Sequence, residues 1–315
     1  MPPRLPVALL VAVRVPLGAQ RAFSAYPYRQ NSPSSSSEAS SSRTPLPPRP
    51  EPSTPSATAG PSTTPQTSGR DSLEVPALAR PLGVPKAPSS IPKTWTQKKN
   101  DLLDEDRSKA TRRALIKEAS QGYFRDYNRA RSASGGKLWV GPPVLIREDR
   151  ALYFPDISGK SLLGTQAHTT DLLKGKITLL SITSTRISEE HIVSFTAPLL
   201  PDWPTTPSSL FQHVQINHQA NLLKSMLLSF FISSLKRTVP EEGWGRYLIS
   251  GGEWSHYDIE GPLGIDNKLV GYVFLIDQNL KVRWAGCGPA TEEEVDNLRK
   301  GTAVLMRRAT EGQGR

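Results

Sequence analysis

Ile177-Thr178-Leu179-Leu180-Ser181-Ile182 is a run of six residues with four large aliphatic side chains and no charge, the pattern of a strand buried on both faces. A helix is expected over 188–195, a second strand over Phe211–Ile216, and a long helix over Ala220–Arg237. The order is β-α-β-α. Helical crossovers join parallel strands with a right-handed connection, so these two strands should be parallel neighbours. Further along, Arg246–Ile249 reads as another strand. Gly271–Ile276 and Lys281–Ala285 read as a hairpin turned by Asp277-Gln278-Asn279-Leu280, and Glu292–Arg308 as a closing helix. Thr291 before Glu292-Glu293-Glu294 is a cap followed by acids at the positive end of that helix, and Arg299, Lys300, Arg307 and Arg308 lie towards its negative end.

A parallel βαβ unit closed by a hairpin and a terminal helix is a thioredoxin-like order. The expected fold is therefore an α/β, thioredoxin-like (peroxiredoxin-like) mixed sheet flanked by helices. Ahead of it, Leu138–Val140 and Ala151–Phe154 are short strand candidates flanked by Pro142-Pro143 and a turn over 156–159. A single helix is expected from Lys98 to about Arg131, with an interrupted apolar stripe of Leu102, Leu115, Ile116, Tyr123, Phe124 and Tyr127, ended by Ser134-Gly135-Gly136.

Composition divides the chain. Between Asn31 and Ser90 it is mostly Ser, Pro, Thr and Ala without an aromatic residue, which cannot build a core. Up to Gln30 the chain carries Arg4, Arg14, Arg21 and Arg29 but no Asp, Glu or Lys, the composition of a matrix-targeting presequence. A secretory signal is the rival, since 7–13 is a short apolar run, but Arg14 interrupts it; the single cysteine and the lack of an Asn-x-Ser/Thr sequon also oppose it. The expected division is a presequence over 1–23, a disordered Ser/Pro-rich linker over 24–97, a basic helical extension over 98–134, one domain over 135–309, and a disordered tail over 310–315. No stretch reaches the roughly 18 to 20 apolar residues of a membrane span. The best, 222–235, contains Lys224 and has the spacing of a packed amphipathic helix. Membrane contact should be peripheral.

Chemistry is scarce in the sequence. A thiol oxidoreductase needs a low-pKa thiolate at a helix N-terminus and usually a second cysteine. The loop after the 177–182 strand reads Thr183-Ser184-Thr185-Arg186-Ile187-Ser188-Glu189, with no sulfur, and Gly271 falls where thioredoxin-like enzymes place a cis-proline. The lone cysteine, Cys287, sits between Gly286 and Gly288 in what reads as a tight turn. Gly159-Lys160-Ser161 lacks the first glycine of a phosphate loop, since Phe154 takes its place. The five histidines, at 168, 191, 213, 218 and 256, have no zinc-ligand spacing and read as surface or capping residues. No Gly-x-Ser-x-Gly elbow occurs. Trp284 reads as core and as facing opposite Val282 across its strand; Trp203 reads as exposed. No catalytic residue, metal or cofactor is expected.

The segment Gly271-Tyr-Val-Phe-Leu-Ile-Asp-Gln-Asn-Leu-Lys-Val-Arg-Trp-Ala-Gly-Cys-Gly288, with Tyr153-Phe154-Pro155 and the 156–159 turn, resembles the fungal mitochondrial ATPase assembly-factor family, the tenth of the yeast ATPase assembly genes. The likeness extends from about Lys98 to Arg308. It implies a non-enzymatic chaperone, peripheral on the matrix side of the inner membrane, that binds the newly made proton-channel subunit of ATP synthase and aids its assembly with the proteolipid ring. Trp284, Gly286, Cys287, Gly288, Gly271 and Tyr272 are the candidate partner-binding residues. The net charge of +10 and the Arg-rich stretch 107–131 motivate an RNA- or ribosome-associated alternative, although no RNA module is recognisable and no nucleic-acid partner is expected. A degenerate thiol oxidoreductase is the third reading.

Overall fold

The computed structural model describes residues 75–313 apart from 93, 121–123, 133, 204–208, 220–224 and 253. The expected presequence and most of the expected linker lie outside the described residues. Three helices come first: α1 (Trp95–Leu103), α2 (Glu105–Ser120) and α3 (Arg125–Ala130). Then follow β1 (Ser158–Ser161), β2 (Gln166–His168), α4 (Thr169–Leu173), β3 (Ile177–Thr183), α5 (Arg186–Leu199) and β4 (Phe211–Gln219). The remainder is α6 (Ser225–Thr238), β5 (Tyr247–Gly251), α7 (Gly261–Leu263), β6 (Tyr272–Ile276), β7 (Val282–Cys287) and α8 (Glu292–Gln313).

One seven-stranded sheet runs in the order β2-β1-β5-β4-β3-β6-β7. Its centre is parallel, with Ile177 to Thr183 in register with Phe211 to Asn217, and β5 parallel to β4 on the far side. β6 lies antiparallel to β3, and β7 to β6. This is the thioredoxin-like arrangement of a βαβ unit joined to a hairpin. All seven residues of β3 are buried, because packed layers cover both its faces. On one face Leu180, Ile182, Val214, Ile216, Phe274 and Ile276 meet Trp139, Phe154 and Ile157. On the other, Leu179, Val273 and Trp284 meet Ile192 and Phe195 of α5 and Leu298 and Leu305 of α8.

Strict alternation would put Val282 and Trp284 on the same face, two residues apart. They nevertheless lie on opposite faces, as expected, because of a bulge: Ile276 pairs with Val282 while Leu275 pairs with Trp284, leaving Arg283 as the extra residue. Its guanidinium is held inside by Asp277 Oδ2 at 3.1 Å and by the carbonyl of Ile146 at 2.7 Å.

Several expectations are corrected at the edges. The linker does not run to residue 97: Leu82 is buried in the core, and Val84 bridges Tyr153. The expected strands at 138–140 and 151–154 are single bridges, Ala77 to Val140 and Tyr153 to both Val84 and Lys281. The 156–159 turn is the entry to β1, whose partner β2 was not expected. The single helix from Lys98 is three helices. Asp104 breaks it, its Oδ1 accepting from the N–H of Asp106 at 2.9 Å and of Arg107 at 3.3 Å as the cap of α2. Of its apolar stripe, Leu102, Ile116, Phe124 and Tyr127 are exposed, while the Leu115 side chain and Tyr123 lie outside what is described. The long helix is described from Ser225 onward, and α8 continues to Gln313, through most of the expected tail.

Candidate functional site

In this fold the C-terminal ends of β3, β4 and β5, with the start of α5, form the edge where ligands and reactive groups are presented. Here the half-buried hydroxyls at the end of β3 are bonded to their own loop and to the segment facing it. Thr185 caps α5, its Oγ1 accepting from the N–H of Ser188 at 3.2 Å, and Ser188 Oγ accepts in return from the N–H groups of Ser184 and Thr185, each at 2.9 Å. Ser184 Oγ donates to the carbonyl of Lys268, and Thr185 Oγ1 to that of Leu269 at 2.9 Å. Gln219 Nε2 donates to the carbonyl of Ser184 at 3.0 Å and to Asn217 Oδ1 at 2.8 Å. The hydroxyls that stand where a thiolate would sit are spent on the loop that faces them.

Gly271 closes the same seam. Its N–H, which a proline would lack, donates to His191 Nδ1 at 3.3 Å, and its carbonyl accepts from the N–H of Gly288 at 2.9 Å. A Cβ at this position would stand 2.6 Å from the carbonyl oxygen of Ser188. The close approach of β6's entry to α5 therefore demands glycine. Burial holds the His191 pKa below its ordinary value, with Glu190 acting the other way and Lys137 adding to the drop. The ring is a neutral acceptor for a backbone amide and touches no hydroxyl or thiol nucleophile.

The six residues expected to meet a partner are brought together, but inside the molecule. Trp284 and Cys287 are 0% exposed and Tyr272 is 1% exposed, and Gly271, Gly286 and Gly288 are buried with them. Trp284 Nε1 donates to the carbonyl of Pro142 at 2.8 Å, and its ring packs edge-on against Phe195 at 6.0 Å. Tyr272 donates to the carbonyl of Asn267 at 2.8 Å and packs on Trp139. As the chain is folded, this set forms a floor beneath the surface.

Cys287 ends β7 rather than occupying a turn. Its Sγ accepts from the N–H of Leu138 at 3.3 Å and faces the carbonyl of Trp139 at 3.6 Å, and burial pushes the thiol up to about 11, against smaller opposing effects from these backbone contacts and Lys137. A thiol so protonated at neutral pH is a poor nucleophile. Beside it lies an ion pair that is 5% and 1% exposed, Lys137 Nζ to Glu294 Oε2 at 2.6 Å. The ammonium also donates to the carbonyls of Cys287 at 3.1 Å and Pro289 at 2.9 Å, and the carboxylate accepts from the N–H of Gly141 at 2.7 Å and of Thr291 at 3.0 Å. This pair ties segment 137–141 to the start of α8. Only the capping half, Thr291 with an acid three residues on, was legible in the sequence; its partner lies 157 positions away.

The histidines are not all surface groups. His191 and His218 are buried, and His218 stacks on Trp254 with centroids 4.0 Å apart. His213 Nε2 lies 2.7 Å from Ser181 Oγ, and burial, helped by Arg246, lowers its pKa to about 4. This serine–histidine pair is no hydrolytic centre, because Ser181 lies mid-strand with no exposure to a substrate. Trp203, expected to be exposed, is half-buried against Phe211. Among the described residues no cluster of three or more His, Cys, Asp or Glu could hold a metal.

The profile of the family described as ATP10 protein matches residues 62–305. The chain belongs to this family. Among curated relatives, the "Probable mitochondrial ATPase complex subunit atp10" of Schizosaccharomyces pombe is 28% identical over 247 residues, covering 74% of this chain and 85% of the relative. The "Mitochondrial ATPase complex subunit ATP10" of Saccharomyces cerevisiae is 28% identical over 241 residues, 72% and 86% of the two chains. A solved putative protein disulfide isomerase from Bacteroides thetaiotaomicron overlaps 52% of this chain and 93% of its own at 16% identity and a TM-score of 0.36. That last likeness is too distant to carry any argument about activity.

Proposed function

We propose that the chain acts in mitochondria as a non-enzymatic assembly factor of ATP synthase, peripheral on the matrix side of the inner membrane. It binds the newly made proton-channel subunit of the membrane sector and promotes its joining to the proteolipid ring. Membership of a family whose relatives carry ATPase-complex names supports the setting. The observation that carries the mechanism is the bonding at this edge. Where a thioredoxin-like enzyme would expose a thiolate, Ser184 and Thr185 are bonded to the carbonyls of Lys268 and Leu269, and the lone thiol is buried and protonated. What is left is a rigid frame, and its use is docking. No cofactor enters this reading. The relatives' names favour it over the RNA-associated alternative, which rests on net charge and the Arg-rich stretch 107–131.

The test is capture of pulse-labelled mitochondrial translation products on the tagged chain, together with native gels of cells lacking it. The proton-channel subunit should be captured, and assembled ATP synthase should fall while synthesis of that subunit continues. Normal assembly without the chain would refute the proposal.

A further inference from the structure

Among the described residues, seven large apolar side chains are exposed between positions 91 and 127: Ile91, Trp95, Leu102, Leu103, Ile116, Phe124 and Tyr127. α1 buries none of its residues. On α1, Trp95, Lys98, Lys99 and Leu102 are spaced by three, one and three, which sets all four on one helical face. On α2, Lys109, Arg112, Arg113 and Ile116 repeat that spacing, and all four are exposed. Each face thus has a pair of cations at its middle and an apolar residue at one or both ends. Two acids border the α2 face at its first turn: Glu105, which pairs with Lys109 at 2.7 Å, and Asp106. The inner side of α2 is pinned elsewhere, Arg107 pairing with Asp258 and Asp101 and lying over the Tyr257 ring at 5.0 Å. The outward faces are therefore held in place with nothing among the described residues covering them.

We infer that the α1–α2 arm is an anionic-membrane docking surface, with Trp95, Leu102 and Ile116 entering the headgroup layer while Lys98, Lys99, Arg112 and Arg113 meet lipid phosphates. The chemistry selects this occupant. Lysine is depleted from the cores of protein–protein interfaces, yet here Lys98 and Lys99 lie between Trp95 and Leu102 on the same face of α1. Single-stranded nucleic acid is gripped by stacking on successive aromatic planes, and the two faces offer one, Trp95, beside the aliphatic Leu102 and Ile116. A bilayer surface takes both groups at once, because lysine and arginine stems lie along apolar surface while their charged ends reach outward, and tryptophan favours the interface. No helix among the described residues is long and apolar enough to cross a membrane, so contact of this kind is superficial. The inference deepens the peripheral location proposed above and rests on it.

The test is flotation of the full chain with phosphatidylcholine vesicles and with the same vesicles carrying phosphatidylglycerol. The chain should float with the anionic vesicles only and be released by high salt, since charge attraction is screened within about 3 Å at 1 M. Charge reversal at Lys98, Lys99, Arg112 and Arg113 to Glu should lower binding at least about tenfold, and Trp95→Ser with Leu102→Ser should lower it as well, at an unchanged melting temperature. Equal flotation with both vesicles, flotation with neither, or wild-type binding by the reversed variant would overturn the inference. So would loss of RNA binding, rather than vesicle binding, on charge reversal. A chain that binds vesicles but fails to support ATP synthase assembly leaves this surface standing and removes the proposed function. Assembly without vesicle binding does the reverse.

Discussion

Two regions of this molecule invert each other's use of side chains. At the end of β7 a lysine and a glutamate are buried together, fully hydrogen-bonded, beside a protonated thiol. In the arm, a tryptophan and a leucine are 80% and 81% exposed beside uncovered cations. Burying charge is costly unless every donor and acceptor is met, and leaving large apolar groups in water forgoes their burial energy. The first arrangement is explained by the fold, because the pair ties segment 137–141 to α8 under the sheet edge. The second is not explained by the fold, and so points outward to a surface that covers it.

The comparison breaks most visibly at Lys137. Lys137→Met leaves Glu294 charged and unpaired, and should cost about 3–5 kcal/mol in urea unfolding, while adding Glu294→Gln should restore part of that. A cost near zero would mean that the pair is not what holds the segment. Next comes the seam at Gly271. Gly271→Ala drives a Cβ to 2.6 Å from the Ser188 carbonyl, and should cost roughly 1–3 kcal/mol in the same measurement.

Stability should also depend on pH at both extremes. The Cys287 thiol is raised from 9.0 to about 11, so the folded state keeps its proton longer than the unfolded chain. Its contribution is full below pH 9 and lost as pH rises to about 11. His213 is lowered from 6.5 to about 4, so its contribution is full above pH 6.5 and lost as pH falls to about 4. Unfolding curves of Cys287→Ser and His213→Gln should be flatter than wild type in the alkaline and acid windows respectively. The smallest effect belongs to the arm: Trp95→Ser with Leu102→Ser should change unfolding free energy by less than about 0.5 kcal/mol per residue. A large loss there would show that the arm packs against the rest of the chain.

The central strands were legible because their physics is local. β3, β6 and β7 are runs in which every residue is buried, and α8 announces its start by its cap and first-turn acids. The hairpin β1–β2 was not legible, since Ser158–Ser161 and Gln166–His168 offer almost no apolar residue and take their stability from neighbouring strands. The arm was misread by its spacing: three- and four-residue recurrence marks one helical face but not whether protein or something else lies against it. The candidate partner-binding residues come together in space and are buried. A tryptophan and a cysteine among glycines look the same in sequence whether they face a partner or fill a floor, as Trp284 and Cys287 do.

The central claim is that a thioredoxin-like frame serves ATP synthase assembly without sulfur chemistry. It is tested most directly by native-gel measurement of assembled ATP synthase in cells whose sole copy of the chain is Cys287→Ser. Serine can still accept from Leu138 and donate to the Trp139 carbonyl, the two contacts that Sγ makes. The account predicts assembly at the wild-type level. Loss of assembly by a variant that melts at the wild-type temperature would contradict it.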